Sequence, residues 1–279
     1  MRERRSLIPF RFPFSCLATS LIFVALMVGP ATAISDGVPD TQHPNVGALL
    51  LEVDPDGQPG VFEPICSGSL LSPEHFLTAS HCLVFLEPEG FTAGNLAVTF
   101  DQDAFPPTNI IPASAFEFHP QALLRFSDAN DVGIVTLAQT VTGIDPIELP
   151  TEGFLTQAGA QNGLKGHSFV NVGYGVVPND RGKPSFDFDG LRRRSTSPFK
   201  ALTDAYLFLN MRTDATGEGG VCFGDSGSPK FFEPVPGAQS NLAVAITFGG
   251  DPVCRAHSFN TRLDTPSIRD FLDDFADVP

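Results

Sequence analysis

Cys222-Phe223-Gly224-Asp225-Ser226-Gly227-Ser228-Pro229 is the stretch on which the fold of this chain turns. Ser226 lies in a glycine-rich, turn-forming context. There a serine can be exposed while neighbouring backbone N–H groups point at one spot, which suits a nucleophile beside an oxyanion hole. Glycine and serine also fill ordinary turns, so the octapeptide needs partners elsewhere in the chain.

Two other segments supply them. Thr78-Ala79-Ser80-His81-Cys82 sets a histidine beside a cysteine, and Asn130-Asp131-Val132-Gly133-Ile134 sets an aspartate at the entry to an apolar strand. A serine hydroxyl is a poor nucleophile at neutral pH. It needs an imidazole to accept its proton, and the imidazole needs a carboxylate to hold its tautomer and offset its developing charge. His81, Asp131 and Ser226 can fill these roles, in an order that is neither Asp-His-Ser as in subtilisins nor Ser-Asp-His as in α/β-hydrolases. The hydrolase elbow also fails locally, because Ser228 stands where its second glycine belongs.

Working outward, the chain of 279 residues is 42% hydrophobic, enough to bury a core. Past residue 40, β-rich runs recur between Pro, Gly and Asp turns: Val46 to Val53, Phe76 to Ala79, Leu96 to Phe100, Val132 to Leu137, Phe169 to Val172, Tyr206 to Leu209 and Leu242 to Phe248. Short strands so spaced indicate an all-β sandwich or barrel. One helix is expected at the end, where Ile268, Phe271, Leu272 and Phe275 follow helical spacing behind Thr265 as N-cap and Pro266 at the first helical position. Ala138 to Gly153 reads as a connection between two β halves, while Asp54 to Gly60 and Pro178 to Gly190 read as exposed loops. Arg192-Arg193-Arg194 reads as a solvated loop or nicking site, and His43, His75 and His167 as surface residues.

Residues 1–33 read as a secretory signal peptide: four arginines precede the apolar run Leu17 to Val28, and Ala31-Thr32-Ala33 offers a small-x-small cleavage site. Without them the chain keeps 13 basic and 31 acidic residues, a balance that argues against nucleic acid and against an anionic membrane surface. Cys66, Cys82, Cys222 and Cys254 remain, an even count that in an exported chain reads as two disulfides with three possible pairings. A zinc site is disfavoured because no Cys-x-x-Cys is present and the histidines are scattered.

These segments together resemble the secreted trypsin/chymotrypsin-like serine proteases across nearly all of residues 34–279. Cys66-Ser67-Gly68-Ser69-Leu70-Leu71 through His81-Cys82 is similar to the family's first-barrel signature, and Asn130 to Ile134 to its Asn-Asp-Ile-Ala-Leu segment. Pro146 to Pro150 resembles its link between barrels, Gly173-Tyr174-Gly175 its Gly-Trp-Gly, and Cys222 to Pro229 its serine loop. The resemblance implies two antiparallel six-stranded β-barrels, the first over about 34–145 and the second over about 146–265, then a short helix over about 266–276. It implies a triad of His81, Asp131 and Ser226 between the barrels, an oxyanion hole from the Gly224 and Ser226 N–H groups, and disulfides Cys66–Cys82 and Cys222–Cys254.

Departures from the family shape the remaining expectations. The family's Ser-Trp-Gly is here Thr247-Phe248-Gly249, whose threonine is expected to donate to Asp131. Trypsins carry an Asp six residues before the nucleophile to bind Lys or Arg, and Gly220 stands there, followed by Val221. A pocket of Gly220, Val221, Thr247, Phe248, Gly249 and Ser258 should favour an apolar residue before the cut, because a buried ammonium without a partner is penalised. His257, at its rim, would instead attract an acidic side chain. Asp101, Asp103 and Asn109 fall where some relatives bind calcium, but Pro106-Pro107 interrupts the loop, and no metal or cofactor is expected. Family members pair a new N-terminal Ile ammonium with the Asp before the nucleophile, so cleavage after Ala33 would set Ile34 against Asp225. The expectation is an exported, monomeric endopeptidase, extracellular or periplasmic, acting on proteins or peptides. An idle binding protein on the same scaffold is the rival reading.

Overall fold

The computed structural model describes residues 37–53, 60–122, 130–179, 185–211, 219–235 and 237–279. The expected leader, Ile34 and most of the Asp54 to Gly60 loop lie outside them. After β1 (Val38–Pro39), six strands close an antiparallel barrel: β2 (Val46–Val53), β3 (Val61–Ser72), β4 (His75–Thr78), β5 (Leu96–Thr99), β6 (Ile111–Phe118) and β7 (Gly133–Leu137), in the order β2-β3-β4-β7-β6-β5. Strand β2 shows why this sequence makes a barrel. Its run is apolar on both faces because Leu49 points into the first-barrel core with Leu70, Phe76, Val98 and Val135, while Ala48 and Leu50 join the layer shared with the second half.

A short helix, α1 (Phe154–Gly159), leads into β8 (Ser168–Gly173), the hairpin of β9 (Val177–Asn179) and β10 (Ser185–Asp187), then β11 (Arg193–Leu202), β12 (Tyr206–Asn210), β13 (Pro229–Phe232), β14 (Ala243–Gly250) and β15 (His257–Arg262). The second barrel runs β11-β12-β15-β14-β13-β8 and closes through β8 with β11, with β1 added beside Arg193 and Arg194. Helix α2 (Pro266–Leu272) starts at Pro266 as expected. It buries Ile268 and Leu272 in the shared layer with Val46, Ile134, Val172, Phe231 and Ile246.

Three loop or surface expectations are corrected by this packing. Arg192-Arg193-Arg194 is no solvated loop: Arg192 and Arg193 are each 4% exposed. Arg192 donates to the carbonyls of Val46 and Phe100 in the first barrel and to the Tyr174 hydroxyl in the second, clamping the two halves. Arg193 pairs with Asp189. His43 is buried rather than superficial, its ring 3.0 Å from Asp40 and stacked on Phe231. Burial alone would raise the Asp40 carboxyl, but the bond from His43 and the charges of His43 and Arg192 hold it below its usual value. Within Pro178 to Gly190, read as an exposed loop, β9 and β10 pair.

Candidate active site

His81 sits in a single 3-10 turn, Ser80–Cys82, directly after β4. The Cys66–Cys82 disulfide ties that turn to β3 across a separation of 16 residues. Cross-linking a loop of this size stabilises by about 3 kcal/mol. Asp131 arrives from the other side, just ahead of β7, and is 1% exposed. Its Oδ2 lies 2.7 Å from His81 Nδ1. A carboxylate only accepts, so Nδ1 is the donor, and in the neutral imidazole Nε2 is left with its lone pair. Asp131 Oδ1 accepts two further bonds, from the His81 N–H at 2.8 Å and from the Ser80 hydroxyl at 2.7 Å.

Ser226 comes from the second barrel, between Gly224 and Gly227, whose φ angles of 91° and 79° are open to glycine and strained for other residues. At Gly227 the approach to the first barrel is close. A Cβ there would stand 2.4 Å from Thr78 Oγ1, 2.5 Å from the Ser67 carbonyl and 2.6 Å from the Ala79 nitrogen. The turn carrying Ser226 is thus pressed against the residues that lead into His81. Ser67 completes the clamp: its N–H donates to the Ser226 carbonyl at 2.9 Å, and its hydroxyl donates to the Gly224 carbonyl at 2.9 Å. Among the described residues, the N–H groups of Gly224 and Ser226 have no hydrogen-bond partner.

Asp225, between them, is fully buried. It accepts from the Gly175 N–H through Oδ1 at 2.9 Å and from the Cys222 N–H through Oδ2 at 2.8 Å. Gly173 and Gly175 are required here, because a Cβ on either would come within 2.3 Å of that carboxylate. Cys222 pairs with Cys254, so all four remaining cysteines are in disulfides and their sulfurs are not free to hold a metal. Asp101 accepts four bonds from Thr108 and Asn109 and clips its own loop.

The expected role of Thr247 is corrected. Its hydroxyl is engaged with the Ser228 hydroxyl at 2.7 Å and accepts from the Lys230 ammonium at 2.5 Å, while Ser80 supplies the hydroxyl that reaches Asp131. Phe248 packs edge-on against His81 at 5.7 Å and against Tyr206 at 5.6 Å. The Tyr206 hydroxyl is pushed up to about 12 by burial and by the Asp131 charge.

Of the expected pocket residues, Val221 and Ser258 are buried, and Gly249 lies against the Phe259 ring. Gly220 adjoins a residue that sequence reasoning missed. Met211 is 1% exposed, and its side chain stands 2.2 Å from where a Gly220 Cβ would be and 3.2 Å from where a Gly250 Cβ would be. A groove of about 240 Å³ opens beside Gly224, lined by Pro64, Ile65, Tyr174, Val176, Phe188 and Phe223. Ser67, Ser80, Met211 and Lys230 were the functional candidates without a local signal: Ser67, Ser80 and Met211 are defined by partners distant in sequence, and Lys230 by its complete burial.

Comparison with known proteins agrees with this architecture. The family model described as Trypsin matches residues 39–268. Brachyurin of Leptuca pugilator is 31% identical over 201 residues, 68% of this chain and 78% of brachyurin. Serine protease 28 of Mus musculus is 25% identical over 194 residues, 59% of this chain and 62% of that protein. With two closed barrels and a family match over most of its length, the chain belongs to the trypsin family of serine endopeptidases.

Proposed function

We propose that this chain is an exported endopeptidase in which Ser226 is the nucleophile, His81 the general base and Asp131 the group that holds His81. The Ser226 hydroxyl attacks the scissile carbonyl carbon and passes its proton to His81 Nε2. The carbonyl oxygen becomes an oxyanion that the Gly224 and Ser226 N–H groups receive. His81 returns the proton to the departing amine, leaving an acyl-enzyme, and water then repeats the sequence to release the acid. The observation that carries this reading is the contact at Gly227, which joins the serine turn to the segment entering His81. The two unpartnered N–H groups support it, because they are free to donate to an oxyanion at the half-exposed turn.

The residue before the cut is apolar and of limited size, since Gly220 offers no carboxylate and Met211 fills space beside it. Residues after the cut lie along the groove at Phe223 and Ile65, a surface suited to a peptide rather than a small ester. Export through cleavage after Ala33 is in keeping with two disulfides. The test is labelling with a fluorophosphonate, followed by a peptide series with Ala, Val, Leu, Phe, Glu and Arg before the cut. Labelling confined to Ser226, lost in Ser226→Ala, with preference for the smaller apolar residues, is expected. Absence of labelling would favour an idle scaffold, and preferential cleavage after Arg would overturn the pocket reading.

A further inference from the structure

Lys230, in β13, is a lysine with no exposed surface. Its ammonium donates to the hydroxyls of Thr247 at 2.5 Å and Ser228 at 3.2 Å, and to the carbonyls of Ser228 at 3.3 Å and Pro229 at 3.5 Å. All four acceptors are neutral. A charge enclosed in this way is strongly penalised unless an opposite charge stands near it. Among the described residues Lys230 makes no direct ion pair; the carboxylate joined to it through Ser228 is Asp225, also fully buried and also supported only by neutral groups, the Gly175 and Cys222 N–H. Ser228 links the two. The point where a Gly173 Cβ would stand is 2.3 Å from Asp225 Oδ1 and 3.1 Å from Ser228 Cβ, and the Ser228 N–H donates to the Asp225 carbonyl at 2.9 Å.

We propose that Lys230 is the internal counter-charge of Asp225, and that it holds the Gly224–Ser226 turn in its oxyanion-binding shape without help from a free N-terminus. The inference rests on Ser226 being the nucleophile. It gives Lys230 the role that the sequence reading gave to the ammonium of Ile34. The two charges sit five residues apart on one segment, so they accompany each other in every form of the chain, whether or not anything precedes Ile34. Burial pushes the Asp225 carboxyl up to about 6 and the Lys230 ammonium down to about 7, and the attraction between them opposes both shifts. Lys230 touches no substrate surface, so it is a positioning residue. An enzyme so built needs no proteolytic activation step.

Two measurements test this, one of them independent of catalysis. The first compares the chain beginning at Ile34 with the same chain carrying a Gly-Ser tag ahead of Ile34, in wild type, Lys230→Met and Lys230→Arg. The readouts are the rate of fluorophosphonate labelling and kcat/KM on a peptide. The two wild-type forms should agree within about twofold, Lys230→Met should lose at least about tenfold in the tagged form, and Lys230→Arg should recover part of that loss. A tenfold loss on tagging wild type would return the role to Ile34, and a Lys230→Met protein as active as wild type when tagged would remove it from Lys230. The second measures melting temperature for Asp225→Asn, Lys230→Met and the double variant. Either single change should lower it by roughly 10 °C, and the double variant should melt above the lower single, because removing one charge strands the other. Losses that simply add overturn the pairing even if Ser226 never labels, which separates failure of this inference from failure of the catalytic reading.

Discussion

Ser80→Ala probes the support of Asp131, the carboxylate proposed to hold His81. Ser80 and Asp131 are 0% and 1% exposed, and the Ser80 hydroxyl donates to Oδ1 over 2.7 Å. Alanine removes that donor and leaves Oδ1 with the His81 N–H alone, in a place water does not reach. A hydrogen bond to a charged group contributes about 1.5–3 kcal/mol. The carboxylate matters most when His81 has taken the serine proton, so most of that energy should appear in the transition state. At about 1.4 kcal/mol per tenfold, kcat should fall by roughly 10- to 150-fold. Because Ser80 reaches no substrate, KM should change little. The assay is kcat and KM on an apolar peptide amide, alongside the labelling rate and a urea unfolding curve. A folded Ser80→Ala protein with kcat within twofold of wild type would refute the reasoning, since Asp131 would then be held without this bond.

Met211→Ala should open the space beside Gly220 and shift preference from small apolar residues toward Phe by tenfold or more in relative kcat/KM, at a stability loss of about 2–3 kcal/mol; a profile over residues before the cut checks both directions. Replacing Cys66 and Cys82 together by alanine should lower unfolding free energy by about 3 kcal/mol, read from urea curves, and reduce activity because the turn bearing His81 loses its tether. Asp40 and Asp251 are held below the usual carboxyl value of 3.8, Asp251 by four N–H donors that outweigh its burial. A depressed carboxyl stabilises the fold above its unfolded value and loses that contribution as pH falls through the folded one. Stability should therefore decline below about pH 4, and Asp40→Asn should make the melting temperature less dependent on pH in that range.

The elements that were legible in the sequence carry their cause locally. Val46 to Val53 and Leu242 to Phe248 read as strands because each packs both faces against apolar neighbours, and His81, Asp131 and Ser226 each lie in a short motif. Strands β3, β6 and β11 were harder to see. They carry Ser67 and Ser69, or Ser114 and Glu117, or the arginine run, polar residues that interrupt the apolar pattern by which a strand is read. Lys230 was hidden because in a strand a lysine reads as solvent-facing, and only the packing of the fold shows it enclosed.

The supporting residues that escaped notice are coupled to one another. The Thr247 hydroxyl is held by Lys230 and Ser228, and Asp131 accepts its side-chain hydroxyl bond from Ser80. We predict that Ser80 and Lys230 are two ends of one arrangement. With Lys230→Met in place, the Thr247 hydroxyl is released and can turn to Asp131, so adding Ser80→Ala should cost kcat less than it does in wild type. Two independent supports would instead multiply their losses, and that outcome would separate the Asp225 side of the site from the Asp131 side.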